Sequence, residues 1–238
     1  VGAGDGEVVC VDGTGLNIHK VHAVALKMRA DRKVIVMEGS NFPTDAYITQ
    51  GLIDQLEQNH KIRFVEKDQI LDAITEDVAL VSLTQVHYKM GHLLDMKSIT
   101  QKVHDTGALV VWDLSHSAGV LPIALNQCNV DFAVGCTYKY LNGGPGSPGY
   151  LFVAKRHQGK ETQPLTGWWS HEKPFAFEQE YRPKNDIGQF LSGTQPIVAL
   201  AAVEVGIDML LRADMDCIRT KSLALGDIFI RLIKKHLS

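Results

Sequence analysis

The chain is poor in the features that mark specialised architectures. Its 238 residues hold four cysteines, Cys10, Cys128, Cys136 and Cys217, none in C-x-x-C spacing, which argues against a disulfide scaffold and a structural zinc site. They read as small buried hydrophobes. Ten histidines are present without H-E-x-x-H or similar spacing, so no metal centre is expected. No apolar run approaches the roughly 20 residues that cross a bilayer, and Val1 to Gly6 lack the basic-then-apolar order of a signal peptide. A cytoplasmic location is the expectation. The formal net charge of −3 offers no field for nucleic acid or an anionic membrane. Internal repeats and low-complexity segments are missing too. What is left is ordinary globular composition, 45% hydrophobic and 21% charged, in a length that buries one large core or a large and a small domain. The chain opens without methionine and stops at Ser238 inside an amphipathic pattern, so further residues are expected at both ends.

Apolar β-rich runs alternate with stretches of helical period. Strands are expected at Lys33 to Glu38, Ile62 to Val65, Val78 to Leu83, Ala108 to Asp113, Val130 to Gly135 and Gly149 to Ala154. Helices or crossovers are expected at Leu16 to Ala30, Asp45 to Asn59, Asp95 to Thr106 and, as a short turn, around Leu121 to Gln127. Such alternation implies a mostly parallel sheet covered on both faces. From Gly159 to Ser192 the pattern lapses into glycine, proline and aromatic residues, a length of irregular chain usually kept for function or an interface. Pro196 to Leu211 and Met215 to Leu237 then read as two long helices. The division expected is a large domain over 1–212 and, over 213–238, a helix leading into a small C-terminal domain that is largely absent.

Two residues stand out against that frame. Asp113 ends the apolar run Ala108 to Trp112, and Lys139 follows the run Val130 to Cys136, so both are expected at the carboxyl ends of neighbouring strands, where open α/β sheets bind ligands. A lysine is usually a solvated surface residue, but Cys136-Thr137-Tyr138 before it and Tyr140-Leu141 after it are poor surface material. Buried among aromatics, a lysine becomes a usable nucleophile and base. A strand-end acid beside such a lysine is what pyridoxal phosphate (PLP) needs, because the cofactor is tethered through an imine and its pyridine nitrogen is kept protonated by a carboxylate.

The remaining motifs have plainer alternatives. Gly13-Thr14-Gly15 precedes a helix, so it either caps that helix or presents backbone N–H groups to a phosphate. Asn41-Phe42-Pro43-Thr44-Asp45 is either a turn with Thr44 or Asp45 as N-cap, or a platform on which Phe42 stacks against a planar ring. His116 is a satisfied core histidine or a cofactor contact. Gly143-Gly144-Pro145-Gly146 forbids regular structure and lets backbone approach a ligand. Trp168-Trp169 reads as a pocket wall or interface, and Thr194 as an N-cap or a phosphate ligand.

In order and spacing these pieces resemble the kynureninases, PLP-dependent hydrolases of fold type I related to the class V aminotransferases and cysteine desulfurases. The likeness runs from about Gly6 to Leu232 and is most specific in Asn41–Asp45, Trp112–Gly119, Gly135–Gly146, Gly167–His171 and Ser192–Ile197. It implies the fold type I transferase architecture, three α/β/α layers about a mostly parallel sheet, and an enzyme that cleaves the Cβ–Cγ bond of L-kynurenine, and of 3-hydroxykynurenine as a further candidate, in tryptophan catabolism and NAD biosynthesis. By the same resemblance Lys139 holds PLP, Asp113 bonds its pyridine nitrogen, and Tyr138 shares proton transfer. Phe42 stacks on the ring with Pro43, Thr44 and Asp45 beside it, His116 contacts the cofactor, and Thr84 is a further contact. Tyr138, Trp168 and Thr194 hold the phosphate, the last two donated by the second subunit of a homodimer, while Gly13 and Thr14 add backbone and hydroxyl contacts. The chain departs from the family where Asp12-Gly13-Thr14-Gly15 replaces a hydroxyl-rich run and where Trp169 replaces a phenylalanine. The arginine that grips the substrate α-carboxylate belongs to a C-terminal region with no counterpart here. The alternatives are a class V aminotransferase, a cysteine desulfurase-like enzyme, or an inactive remnant that binds PLP.

Overall fold

Seven strands make a single sheet in the computed structural model, which describes residues 1–237 and so leaves Ser238 outside the described residues. They are β1 (Val8–Cys10), β2 (Val34–Glu38), β3 (Lys61–Val65), β4 (Val78–Thr84), β5 (Leu109–Asp113), β6 (Phe132–Cys136) and β7 (Gly149–Val153), in the order β1-β7-β6-β5-β4-β2-β3. From β3 to β6 every neighbouring pair is parallel. At the other edge β7 runs antiparallel to both β6 and β1. The alternation therefore predicts six strands and their mostly parallel arrangement correctly, and misses β1, three residues long and too short to show a period.

Both faces are covered. Helices α1 (Thr14–Met28) and α2 (Pro43–Leu56) lie on one side, where Ile18, Val21, Val24 and Leu26 pack with Leu52 and Ile53 against Ile35, Leu80 and Leu151. On the other side α4 (Met96–Asp105) buries Met96, Ile99 and Val103 against Val81, Val110 and Trp112. The short α3 (Ile70–Ala73) adds Ile70 there. Each such side chain contributes about 1.5–3 kcal/mol by leaving water, so the central strands, buried at every position, anchor the domain.

The short turn expected around Leu121 to Gln127 is a turn in the structure, where the N–H groups of Leu125 and Asn126 donate to the carbonyls of Val1 and Gly2. Three local expectations are corrected. Helix α2 begins at Pro43 with Phe42 as N-cap, and neither Thr44 nor Asp45 caps it; proline at the first position is preorganised for that start. It ends at Leu56 because Glu57 takes a left-handed conformation. Helix α5 (Ile197–Leu211) begins after Pro196, so Thr194 is not its N-cap. Of the cysteines, Cys136 is buried but Cys217 is exposed on α6 (Met215–His236), a helix with no buried residue.

Candidate active site

The site is assembled at the carboxyl ends of β4, β5 and β6. Parallel register sets Thr84 beside Asp113 and Asp113 beside Val134. The chain then turns immediately after β6, so that the loop bearing Lys139 folds back over Asp113. That loop is built for a tight reversal. Thr137 Oγ1 lies 2.7 Å from Ser147 Oγ and 2.5 Å from the Pro148 carbonyl oxygen, and the Gly143 N–H donates to the Thr137 carbonyl at 2.9 Å. Asn142, Gly144 and Gly146 all adopt positive φ, which is why the segment is glycine-rich.

Lys139 Nζ lies 2.9 Å from Nε2 of His116, and its charge is felt by both Asp113 and Asp45. Burial lowers the His116 pKa, and the Lys139 charge lowers it further, so the imidazole stays neutral and Nε2 can accept from the amine. Asp113 is buried, and Oδ1 accepts from the Ser115 N–H at 2.8 Å. Its pKa is raised by burial, against the lowering pull of the Ser115 hydrogen bonds and the His116 and Lys139 charges. Asp45 is pushed well above the usual carboxylate range by burial and by its proximity to Asp113, although the Asn41 amide donates to Oδ2 at 3.0 Å. Burial and Cys136 raise the Tyr138 phenol, and the Lys139 Nζ sits 5.8 Å from the centre of that ring. Lysine, two acids, imidazole and phenol therefore form one electrostatic unit.

The other expected residues are placed unequally. Thr84 is buried beside Asp113, but its hydroxyl donates weakly to the carbonyls of Val86 and Asp113 at 3.3 and 3.4 Å. Phe42 is half-exposed and meets Tyr88 edge-on at 5.5 Å. Pro43 and Thr44 follow it as the first turn of α2, which Asp45 completes. Gly13 is the N-cap of α1 without any side-chain cap, so the N–H groups at Thr14 and Gly15 point out of the helix. With Asp12, Ser147, Gly193, Thr194 and Gln195 it lines a cleft of about 490 Å³, which puts Thr194 within the same chain's cleft. Trp168 stands apart, 40% exposed, in an aromatic cluster with Trp169 at 4.5 Å and Phe175 at 5.8 Å.

Some supporting residues were not apparent from motifs. Ser82 lies 3.0 Å from His22 Nε2, His22 Nδ1 lies 3.1 Å from Thr49 Oγ1, and Thr49 donates to the Asp45 carbonyl at 2.6 Å. Burial lowers the His22 pKa to about 3, so this chain of bonds is neutral and fixes the helix turn that carries Asp45. Lys20, fully buried in α1, pairs with Asp12. A lysine spaced with Asn17, Val21 and Val24 on the apolar face of a helix is the signal that marks it.

These residues fit PLP. Any Cβ on Gly13 would meet no heavy atom within 4 Å, so the helix start faces open space, and a Cβ on Gly149 would come within 3.0 Å of the Thr14 nitrogen. Uncapped N–H groups suit a phosphate, a buried acid suits a pyridine nitrogen, and a lysine held by a neutral imidazole suits an imine. Comparison with known proteins agrees. The chain is 48% identical to the kynureninase of Pseudomonas fluorescens and 49% identical to that of Burkholderia pseudomallei, in each case over 99% of its own length. It spans 58% of the length of those relatives. Among solved structures, the cysteine desulfurase of Thermococcus onnurineus superposes with a TM-score of 0.84 at 21% identity, over 98% of this chain and 59% of that one. The cysteine desulfurase CsdA of Escherichia coli gives 0.75 at 17% identity, over 90% and 54%; both speak for the fold alone. Residues 1–236 match the family described as aminotransferase class V. With its mostly parallel sheet and its lysine and aspartate at adjoining strand ends, the chain belongs to the class V aminotransferase family and has the PLP-dependent fold type I.

Proposed function

We propose that the protein to which this chain belongs is a kynureninase, hydrolysing L-kynurenine and water to anthranilate and L-alanine. The observation that carries this reading is the juxtaposition of Lys139 and His116 over buried Asp113, in a chain 48–49% identical to kynureninases along almost its whole length. Bound there, PLP supplies an electron sink that acidifies the substrate Cα–H and lets the Cβ–Cγ bond break. Lys139 would hold the cofactor through its Nζ and would take the Cα proton of the substrate. Asp113, with its raised pKa, holds a proton at the pyridine nitrogen. Phe42, half-exposed, would stack on the ring, and His116 holds Lys139 in place before substrate arrives. Gly13 and Thr14 hold the phosphate with Tyr138 and Thr194. Tyr138, half-exposed beside Lys139, also passes a proton to or from the substrate.

The active species in this reading is a cytoplasmic homodimer. Trp168 lies in an exposed aromatic cluster, which suits donation to the site of a second copy. Thr194, which lines a cleft with Gly13 in this chain, keeps the same cross-subunit role in this reading. Residues 1–212 form the large domain and 213–238 lead to a smaller one. The exposed Leu225, Phe229 and Leu232 of α6 support that continuation. No helix among the described residues is long and apolar enough to cross a membrane. A desulfurase needs a mobile thiolate, whereas burial raises the Cys10 and Cys128 thiols and Cys217 sits within a regular helix. The test is release of anthranilate from L-kynurenine by the intact protein with PLP. Formation of sulfide from cysteine, with no anthranilate, would overturn the reading.

A further inference from the structure

Lys20 is the one fully buried lysine of the described chain, and it sits behind the cleft just described rather than in it. Its Nζ makes a 2.5 Å ion pair with Asp12 Oδ2 and donates to the Phe190 carbonyl at 2.6 Å. Asp12 lines the cleft; Phe190 does not, but stands close in sequence to residues that do. Asp12 precedes the N-cap Gly13, in a left-handed conformation at φ 46°, and its carbonyl accepts from the Gly149 N–H at 2.6 Å. Phe190 ends the 3-10 turn Ile187–Phe190, a few residues before Gly193-Thr194-Gln195.

Asp12 creates an electrostatic conflict. A carboxylate on the wall of a cleft that receives a phosphate repels it, and its side chain retains 26% of its exposure. Unpaired, it would cancel much of the attraction of the free N–H groups of α1. A cation reaching Asp12 from beneath removes that repulsion without occupying the cleft. Burial keeps the cation from water, so the pair is screened little by salt.

We propose that Lys20 is the positioning residue of the phosphate cleft: anchored on the Phe190 carbonyl, it neutralises Asp12 beside the start of α1. The inference rests on the PLP reading above, and two ligands separate its failure from that of the reading. In the intact protein, Lys20→Met should weaken PLP binding by about tenfold or more, since one charge-assisted pairing is exchanged for a like-charge repulsion. Pyridoxal, which lacks the phosphate but can still react with Lys139, should bind within about twofold of the parent. The double variant Lys20→Met with Asp12→Asn should recover most of the loss, because it removes the repelling charge too. A residue needed only for stability would give equal losses for both ligands and no recovery, and that result would overturn the proposal, as would parent-like PLP binding by Lys20→Met. Should Lys20→Met not fold, Asp12→Asn alone decides: PLP bound at least as tightly as by the parent supports the proposal, and weaker binding overturns it. Inorganic phosphate provides an arm independent of PLP, since it should raise the melting temperature of the parent and of the double variant but not of Lys20→Met. Phosphate stabilising the parent and the double variant but not Lys20→Met, with no response to PLP, would sink the functional reading and leave the Lys20 proposal supported. A parent that responds to neither would sink both.

Discussion

Removing the charge of Asp131 should destabilise the protein by about 3–5 kcal/mol while leaving the active site intact. Asp131 is buried at the amino end of β6, and its side chain is 2% exposed. Four donors converge on it: Arg156 Nη2 at 2.8 Å and His157 Nε2 at 2.7 Å on Oδ1, and His104 Nε2 at 2.9 Å and the Val110 N–H at 2.9 Å on Oδ2. The Asn129 amide donates to His104 Nδ1, which leaves Nε2–H for Asp131. One acid thus ties β5, β6, α4 and the turn after β7 together. Asparagine fits the space, but one of its two positions is an NH2 group that must face two donors. Two hydrogen bonds to a charged acceptor are lost, each worth about 1.5–3 kcal/mol, in line with about 3–5 kcal/mol for breaking a buried pair. For a chain of this size that lowers the melting temperature by roughly 10 °C. Burial alone would raise the Asp131 pKa, yet the bonds from His104 and His157 outweigh it and hold it well below the carboxylate range. A depressed folded pKa means the stabilisation is complete above the unfolded value near 3.9 and is lost as pH falls through the folded one. The assay is urea unfolding of parent and Asp131→Asn between pH 7 and pH 3, with PLP binding alongside. A loss under about 1 kcal/mol at pH 7, or a gap between parent and variant that widens below pH 4, would refute this reasoning.

Asp113→Ala should slow Cα proton removal far more than it weakens PLP retention, and Asp113→Glu should recover part of the rate; equal losses in rate and affinity would remove Asp113 from the electron-sink role. Gly206 lets α5 sit on the Lys139 loop, since a Cβ there would lie 2.4 Å from the Leu141 carbonyl oxygen and 2.8 Å from that of Asn142. Gly206→Ala should therefore cost about 1–3 kcal/mol in urea unfolding and reduce PLP occupancy by visible absorbance. If Trp168 reaches the phosphate of a second copy, PLP should tighten the dimer in sedimentation and Trp168→Phe should lose that linkage, because it keeps the ring but not the donor.

Most of the frame was legible because its signals are local. Central strands such as Val78–Thr84 and Leu109–Asp113 are buried at every position, so they read as continuous apolar runs with the chemistry at their ends. Asp113, His116, Lys139 and Tyr138 fall together because parallel register aligns those ends. Less legible was whatever depends on partners distant in sequence. The antiparallel entry of β7 is invisible in its apolar pattern, since strand direction leaves no mark on composition. The turn around Leu121 to Gln127 is held by the carbonyls of Val1 and Gly2, which accept from Leu125 and Asn126. His22 and Asp131 look like ordinary helix and loop residues until Ser82 and His157 are brought against them from 60 and 26 residues away.

The central claim is that Lys139, over Asp113, is the residue that holds PLP. The most direct measurement is borohydride reduction of the intact protein loaded with PLP, followed by peptide mapping by mass spectrometry. The account predicts visible absorbance that borohydride abolishes, a pyridoxyl group on the peptide containing Lys139, and loss of both in Lys139→Ala. A pyridoxyl group fixed stoichiometrically on another lysine, or unchanged absorbance in Lys139→Ala, would contradict it.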